Sequence, residues 1–142
     1  MMRPPRLPSQ EFPVRNAELA TCAYAQLAWL SQQKRQALAR DRFLVLAGAS
    51  ACEAQWLDVA EACHRLLVKF APRHLLSSFA SFAEAMHAEA VQQLVRATGR
   101  HCSYERAEHL LQELGFSPDA IEAGEPRHTW ARELLTRPEW FQ

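Results

Sequence analysis

Apolar residues recur at helical spacing along most of this chain, and no segment alternates apolar and polar residues as a half-buried strand does. Asn16 can cap a first long helix that runs to about Arg40. Its apolar face carries Leu19, Ala23, Leu27 and Leu30. Asp41 can cap a short apolar run, from residue 43 to residue 46, which we expect to end at Gly48.

Two Ser-x-x-Glu patterns predict the starts of two further helices. Ser50 with Glu53 resembles a capping box, and a helical stripe follows it up to the break at Pro72. That stripe consists of Trp56, Val59, Ala60, Cys63, Leu67 and Phe70. Ser81 with Glu84 repeats the pattern ahead of Phe82, Met86, Ala90 and Leu94, and we expect this helix to end at Gly99. Between the two, residues 73–78 predict a short helical turn.

Helix signals in the last third of the chain are closely spaced. Ser103 can cap a helix that ends at Leu114, with Gly115 in the left-handed position just beyond it. A brief helix follows at Pro118 and ends at Gly124, and a last one is expected near Thr129. The sequence therefore predicts an all-α fold: an irregular helical bundle of three longer helices plus several short C-terminal helices.

Proline content sets the first residues apart from the rest. Residues 1–13 contain four prolines, so we expect a proline-rich flexible tail before a single helical domain over residues 14–142. The four cysteines include no Cys-x-x-Cys pair and read as reduced thiols. No run approaches the length of a membrane span, and the N-terminus lacks the apolar core of a signal peptide. The prediction is a cytoplasmic protein.

Charge balance disfavours two classes of partner. The chain has 16 basic and 16 acidic residues, so no overall field attracts it to nucleic acid or to an anionic membrane. We therefore predict no nucleic-acid and no membrane partner. Four glycines in total also leave little room for a Gly-rich phosphate-binding loop.

A repeated Glu-x-x-His motif is the strongest chemical signal in the sequence. Glu61 with His64, and Glu84 with His87, each place a carboxylate and an imidazole on one helical face. Ferritin-like proteins hold iron or manganese with this pair of residue types. An iron, manganese or zinc site at these four residues is the metal-binding hypothesis.

Helical phase argues against that hypothesis. Taken from the centre of each apolar stripe, both histidines lie about 100° away and both glutamates about 160° away. The glutamates should then face solvent, and Glu84 already serves as the capping partner of Ser81. The favoured expectation is accordingly no cofactor, with the metal site as its alternative.

Three weaker hypotheses concern the same histidines and the cysteines. His64 and His87 could ligate haem in a pocket with Phe43 as one wall. A haem or small-ligand binder is therefore a further functional hypothesis, weaker than the metal site. A nucleophile could come from Cys63 beside His64, or from Cys102 beside His101. Adjacent residues on a helix point about 100° apart and do not form a nucleophile–base pair, so we predict no catalytic residues.

Two surface sets remain as candidate interaction residues. A basic cluster of Lys34, Arg35, Arg40 and Arg42 near the end of the first helix could bind an anion, although cations are also favourable at a helix C-terminus. Trp130, Trp140 and Phe141 could either pack on the bundle or form an interface.

Without a convincing catalytic group, the best functional prediction is a small non-enzymatic helical protein-interaction module of the adaptor, immunity or regulatory type. Its expected partner is another protein or a second copy of itself in a homodimer.

Overall fold

A computed structural model describes the backbone of residues 14–142 and the side chains of residues 17–142. The predicted flexible tail, residues 1–13, lies outside the described residues. The described chain is helical without a strand, which confirms the all-α prediction. Its α-helices are α1 (Val14–Gln33), α2 (Ala37–Glu53), α3 (Leu57–Phe70), α4 (Phe82–Ala85), α5 (Glu89–His101), α6 (Tyr104–Glu113) and α7 (Glu125–Leu135). Short 3-10 helices cover Leu75–Ser78, Pro118–Ala120 and Pro138–Phe141.

The first long helix ends earlier than predicted, at a tight turn rather than near Arg40. Arg35 adopts a left-handed backbone conformation with φ of 56°. The Gln36 amide donates to the Ser31 carbonyl at 2.8 Å, and the Arg35 amide donates to the Gln32 carbonyl at 3.1 Å. This pair of bonds is a Schellman motif, which ordinarily places glycine where Arg35 stands. The absence of glycine explains why the sequence pattern did not reveal the turn.

A second turn of the same kind overturns the capping box predicted at Ser50. Helix α2 continues through Gly48 and Ser50 to Glu53, and Gln55 is left-handed with φ of 63°. The Trp56 amide donates to the Ala51 carbonyl at 2.8 Å, which closes the Schellman motif. The predicted short run from residue 43 to residue 46 is therefore the middle of a 17-residue helix.

The third such turn matches its prediction. Gly115 has a φ of 81°, and the Phe116 amide donates to the Leu111 carbonyl at 2.9 Å. Ser103 caps α6 as expected, since its hydroxyl accepts from the Arg106 amide. Gly124, however, caps the start of α7 rather than ending the previous helix, so α7 begins at Glu125 and not near Thr129.

Helices α1, α2 and α3 form the inner layer of the molecule. They follow one another as antiparallel neighbours, with α1 packed on α2 and α2 packed on α3. Alanine is the commonest buried residue of both α1 and α2, which favours a close approach of the two backbones. The predicted stripe of α3 is buried at Trp56, Val59, Cys63 and Leu67, while Phe70 is half-buried.

The segments after residue 74 form an outer layer around these three helices. Ser81 caps α4 through the Glu84 amide, as predicted, but α4 ends after one turn and α5 begins separately at Glu89. The Gln92 side-chain amide donates to the Met86 carbonyl at 2.8 Å and satisfies one group freed by that break. Helix α5 then passes Gly99 and ends at His101.

Large side chains fix this outer layer to the inner one. Phe82, Leu111 and Trp140 are fully buried. The Phe82 ring lies directly against Gly48 of α2, so that even a methyl group added at Gly48 would overlap it. Gly48 is therefore needed for the close approach of α4 to α2, and it does not end a helix.

Candidate interaction surface

The first Glu-x-x-His motif holds backbone of the outer layer. His64 is buried, and its Nε2 lies 3.0 Å from the Leu76 carbonyl oxygen. Because a carbonyl only accepts, Nε2 carries the proton in this contact. The half-buried Glu61 accepts from the Phe82 amide at 2.9 Å. Both side chains thus satisfy backbone groups of the segment that follows α3.

The second motif lies at the surface. Glu84 and His87 are both exposed, as helical phase predicts for the glutamate. Among residues 17–142, no three His, Cys, Asp or Glu side chains come together as a metal-binding group. A metal at the four Glu-x-x-His residues therefore remains a prediction that no clustering in this part of the chain supports.

Of the two cysteines considered as nucleophiles, Cys63 is buried and Cys102 is half-buried. All four cysteines are free, which agrees with the expectation of reduced thiols. Burial raises the pKa of the Cys63 and Cys102 thiols, and it raises the pKa of Cys52 to about 11. A thiol with a raised pKa stays protonated and is a poor nucleophile at neutral pH.

Arg40 differs from the other three members of the predicted basic cluster. It is buried, and its Nε donates to Asp41 Oδ1 at 2.9 Å while its Nη1 donates to Gln32 Oε1 at 2.9 Å. Its guanidinium carbon also lies 3.9 Å from the centroid of the Phe70 ring. Arg40 is therefore committed within the fold, whereas Lys34, Arg35 and Arg42 are exposed.

Other segments add cations at the same end of the bundle. The contact between Arg40 and Phe70 shows that α2 begins where α3 ends. Lys69 and Arg73 thereby join the cluster, and Arg137 lies near the end of α1 because its guanidinium carbon is 5.0 Å from the Trp29 ring centroid. We call the exposed set the basic end: Lys34, Arg35, Arg42, Lys69, Arg73 and Arg137.

The cations of the basic end are electrostatically available. Within residues 17–142, none of the six makes a salt bridge within 4.0 Å. Carboxylates on these segments are the exposed Glu139 and the half-buried Asp41, which is paired with Arg40. The basic end therefore carries a net positive charge although the whole chain is neutral.

Aromatic residues pack beside the cations of the basic end. Trp140 is fully buried between Trp29 and Phe70, and its indole N–H donates to the Leu134 carbonyl at 2.8 Å. Phe141, by contrast, is 54% exposed, and the Lys69 ammonium lies 5.3 Å from its ring centroid. Of the predicted interface residues, Trp140 belongs to the core and Phe141 lies at the surface.

Trp130, the third predicted interface residue, lies elsewhere. It is half-buried on α7 and stacks on Phe116 with ring centroids 5.4 Å apart. On the same helix, His128 stacks on Trp56 and its Nε2 lies 2.7 Å from Asp58 Oδ1. Partial burial opposes ionisation of Asp58, but hydrogen bonds from His128 and Arg132 outweigh it and lower the pKa of this carboxyl. These contacts join α7 to the start of α3.

Acidic residues concentrate in one stretch of the chain. Residues 105–125, which we call the acidic segment, carry six carboxylates against the single cation Arg106. Of the basic end, only Lys34, Arg35 and Arg42, which are close together in the chain, were predicted from the sequence. Lys69, Arg73 and Arg137 were missed because they come from two other places in the chain, the end of α3 and the segment after α7, although Lys69 stands in the last turn of its helix.

Comparisons with protein-family models, with curated proteins and with solved structures find no match to this chain. Across the part of the chain that the structure describes, no helix combines the length and the apolar character needed to cross a bilayer.

Proposed function

We propose that this protein is a helical interaction module whose basic end binds a glutamate- and aspartate-rich stretch of another protein. The observation that carries the proposal is the convergence of six exposed cations without an intramolecular salt bridge among residues 17–142. Separate segments supply them, so only the folded chain assembles the site.

Local charge is effective here despite the neutral total. Fields between exposed charges are screened over about 8–10 Å at physiological ionic strength, so a docking partner senses the charges that it contacts more strongly than the net charge of the chain. A positive patch steers an acidic partner and increases its association rate.

Exposed apolar side chains among these cations favour a protein partner. Leu38 is 65% exposed and Phe141 is 54% exposed, and Val68 is exposed beside Lys69. Protein interfaces typically combine apolar anchors with arginine in this way. A bare phosphate backbone would use the cations but would leave these apolar groups in water.

Binding of a labelled acidic peptide tests the proposal. The probe is a fluorescein-labelled 16-residue peptide in which glutamates alternate with leucine and phenylalanine, titrated in 50 mM and 300 mM salt. Arg42→Gln/Arg73→Gln removes two charges of the basic end, and Arg96→Gln/Arg100→Gln removes two exposed charges of α5 as the control. We expect the first variant to weaken binding by about tenfold and the control by less than twofold.

Two further probes decide the class of partner. A single-stranded oligonucleotide and vesicles of phosphatidylglycerol share the negative charge of the peptide but lack its apolar side chains. Tighter binding of either probe would overturn the assignment to a protein partner. Equal loss in both double variants would remove the basic end as the binding site.

A further inference from the structure

A cavity lies between the inner layer and the elbow formed where α5 ends and α6 begins. Its volume is about 440 Å³, which is within the usual range for small-molecule sites. Ala17 and Ala20 of α1 and Ala49 of α2 line one side of it, while Val95 and Gly99 of α5 line another. The space exists because these side chains are small.

The elbow is held in place over this cavity. Tyr24 also lines the cavity, and its hydroxyl donates to the Cys102 carbonyl at 2.8 Å, between α5 and α6. Tyr104, at the start of α6, lines the other edge and donates its hydroxyl to Glu108 at 2.9 Å. Two tyrosine rings are thus fixed at the cavity by their own hydrogen bonds.

Glu105 gives the cavity its electrostatic character. It is the charged residue among the described lining residues, it is exposed at the mouth, and within residues 17–142 it makes no salt bridge. The neighbouring Arg106 lines a separate depression together with Arg42 and His101. The cavity therefore combines apolar walls, two tyrosine side chains and one carboxylate without a salt bridge among the described residues.

We propose that this cavity binds a small amphiphilic cation, in which an apolar body carries a protonated or quaternary amine. The apolar body displaces water from the alanine- and valine-lined interior. The ammonium group lies at the mouth, where the Glu105 carboxylate attracts it and the tyrosine faces add a cation–π contribution. A carboxylate-bearing ligand of the same shape would be repelled by Glu105.

Three probes with one apolar body and different heads test this assignment. They are 4-phenylbutylamine, 4-phenylbutanol and 5-phenylpentanoate, each titrated into the full chain at pH 7 and followed by amide chemical shifts in NMR. We expect the amine to bind about five- to tenfold more tightly than the alcohol, and the carboxylate to bind most weakly. Shifts should centre on the residues around Tyr24, Val95 and Tyr104.

Two variants separate charge from shape. Glu105→Gln should remove the preference for the amine while leaving the affinity of the alcohol unchanged, and Glu122→Gln, in the loop before α7, is its matched control. Gly99→Leu should abolish binding of all three probes because it fills the cavity. Among the residues that the structure describes, a Cβ at Gly99 meets only Leu46, at 3.9 Å, so the backbone accepts a side chain there.

The proposal fails if the three probes bind equally, if the amine keeps its preference in Glu105→Gln, or if the shifts map outside the cavity. The wild-type titration alone can give the first and third of these results, so the test does not depend on the folding of a variant. None of these readings involves the basic end, so the outcome is independent of the peptide experiment.

Discussion

Different interactions stabilise the inner layer and the outer layer of this protein. In the inner layer, α1 and α2 meet over alanines, and each helix satisfies its own backbone. In the outer layer, one-turn helices and 3-10 turns leave backbone groups unpaired, and inner-layer side chains bond to several of them. Glu61, His64 and Tyr24 each bond to a backbone group of the outer layer. The difference shows that polar residues on an inner helix can act as attachments for outer segments rather than as a chemical site.

Loss of the Phe82 ring should have the largest effect on stability, because this ring joins the outer layer to the inner one. Phe82 is fully buried against Gly48, so Phe82→Ala should lower the free energy of unfolding by about 3–5 kcal/mol in urea denaturation. Gly48→Ala should cost about 1–3 kcal/mol alone, because the methyl group overlaps the ring. In a Phe82→Ala background the same Gly48→Ala change should cost almost nothing. Additive losses would show that the two layers are not in contact at this point.

Trp140 and Phe141 give a matched pair in neighbouring positions. Trp140 is fully buried with a hydrogen-bonded indole, whereas Phe141 is largely exposed. Trp140→Ala should lower the free energy of unfolding by about 3 kcal/mol, because it removes a fully buried aromatic side chain. Phe141→Ala should change it by less than about 0.5 kcal/mol. Thermal denaturation followed by circular dichroism measures both, and similar losses would contradict the placement of these two rings.

The smallest effects concern the left-handed residues that end helices α2 and α6. Gln55 occupies a left-handed position that glycine adopts without strain, so Gln55→Gly should raise the free energy of unfolding by about 0.5–1 kcal/mol. Gly115→Ala, at the equivalent position after α6, should lower it by about 1 kcal/mol. Urea denaturation of the two variants distinguishes these signs. A destabilised Gln55→Gly would indicate that the glutamine side chain contributes more than its backbone strain costs.

Sequence reasoning predicted the helical class because the apolar spacing is set by burial on one face, which the pattern records directly. It misplaced the two inner turns because Arg35 and Gln55 carry no glycine signal in positions that tertiary packing imposes. Helical phase predicted an exposed Glu84, but it could not predict that the segment after α3 folds back over His64. The basic end was found only in part, since contributions from distant segments become visible once the helix order in space is known.

The arrangement of charges in this protein leads to an expectation for ion-exchange chromatography. At pH 7, where the basic and acidic residues of the sequence balance, a protein with evenly mixed charges would pass both types of ion-exchange resin. Here the basic end can hold the molecule on a sulfonate resin, and residues 105–125 can hold the same molecule on a quaternary-amine resin. Retention on both resins at zero net charge would show that the charges are unevenly arranged. A titration curve gives only the total charge at each pH and would not show this arrangement.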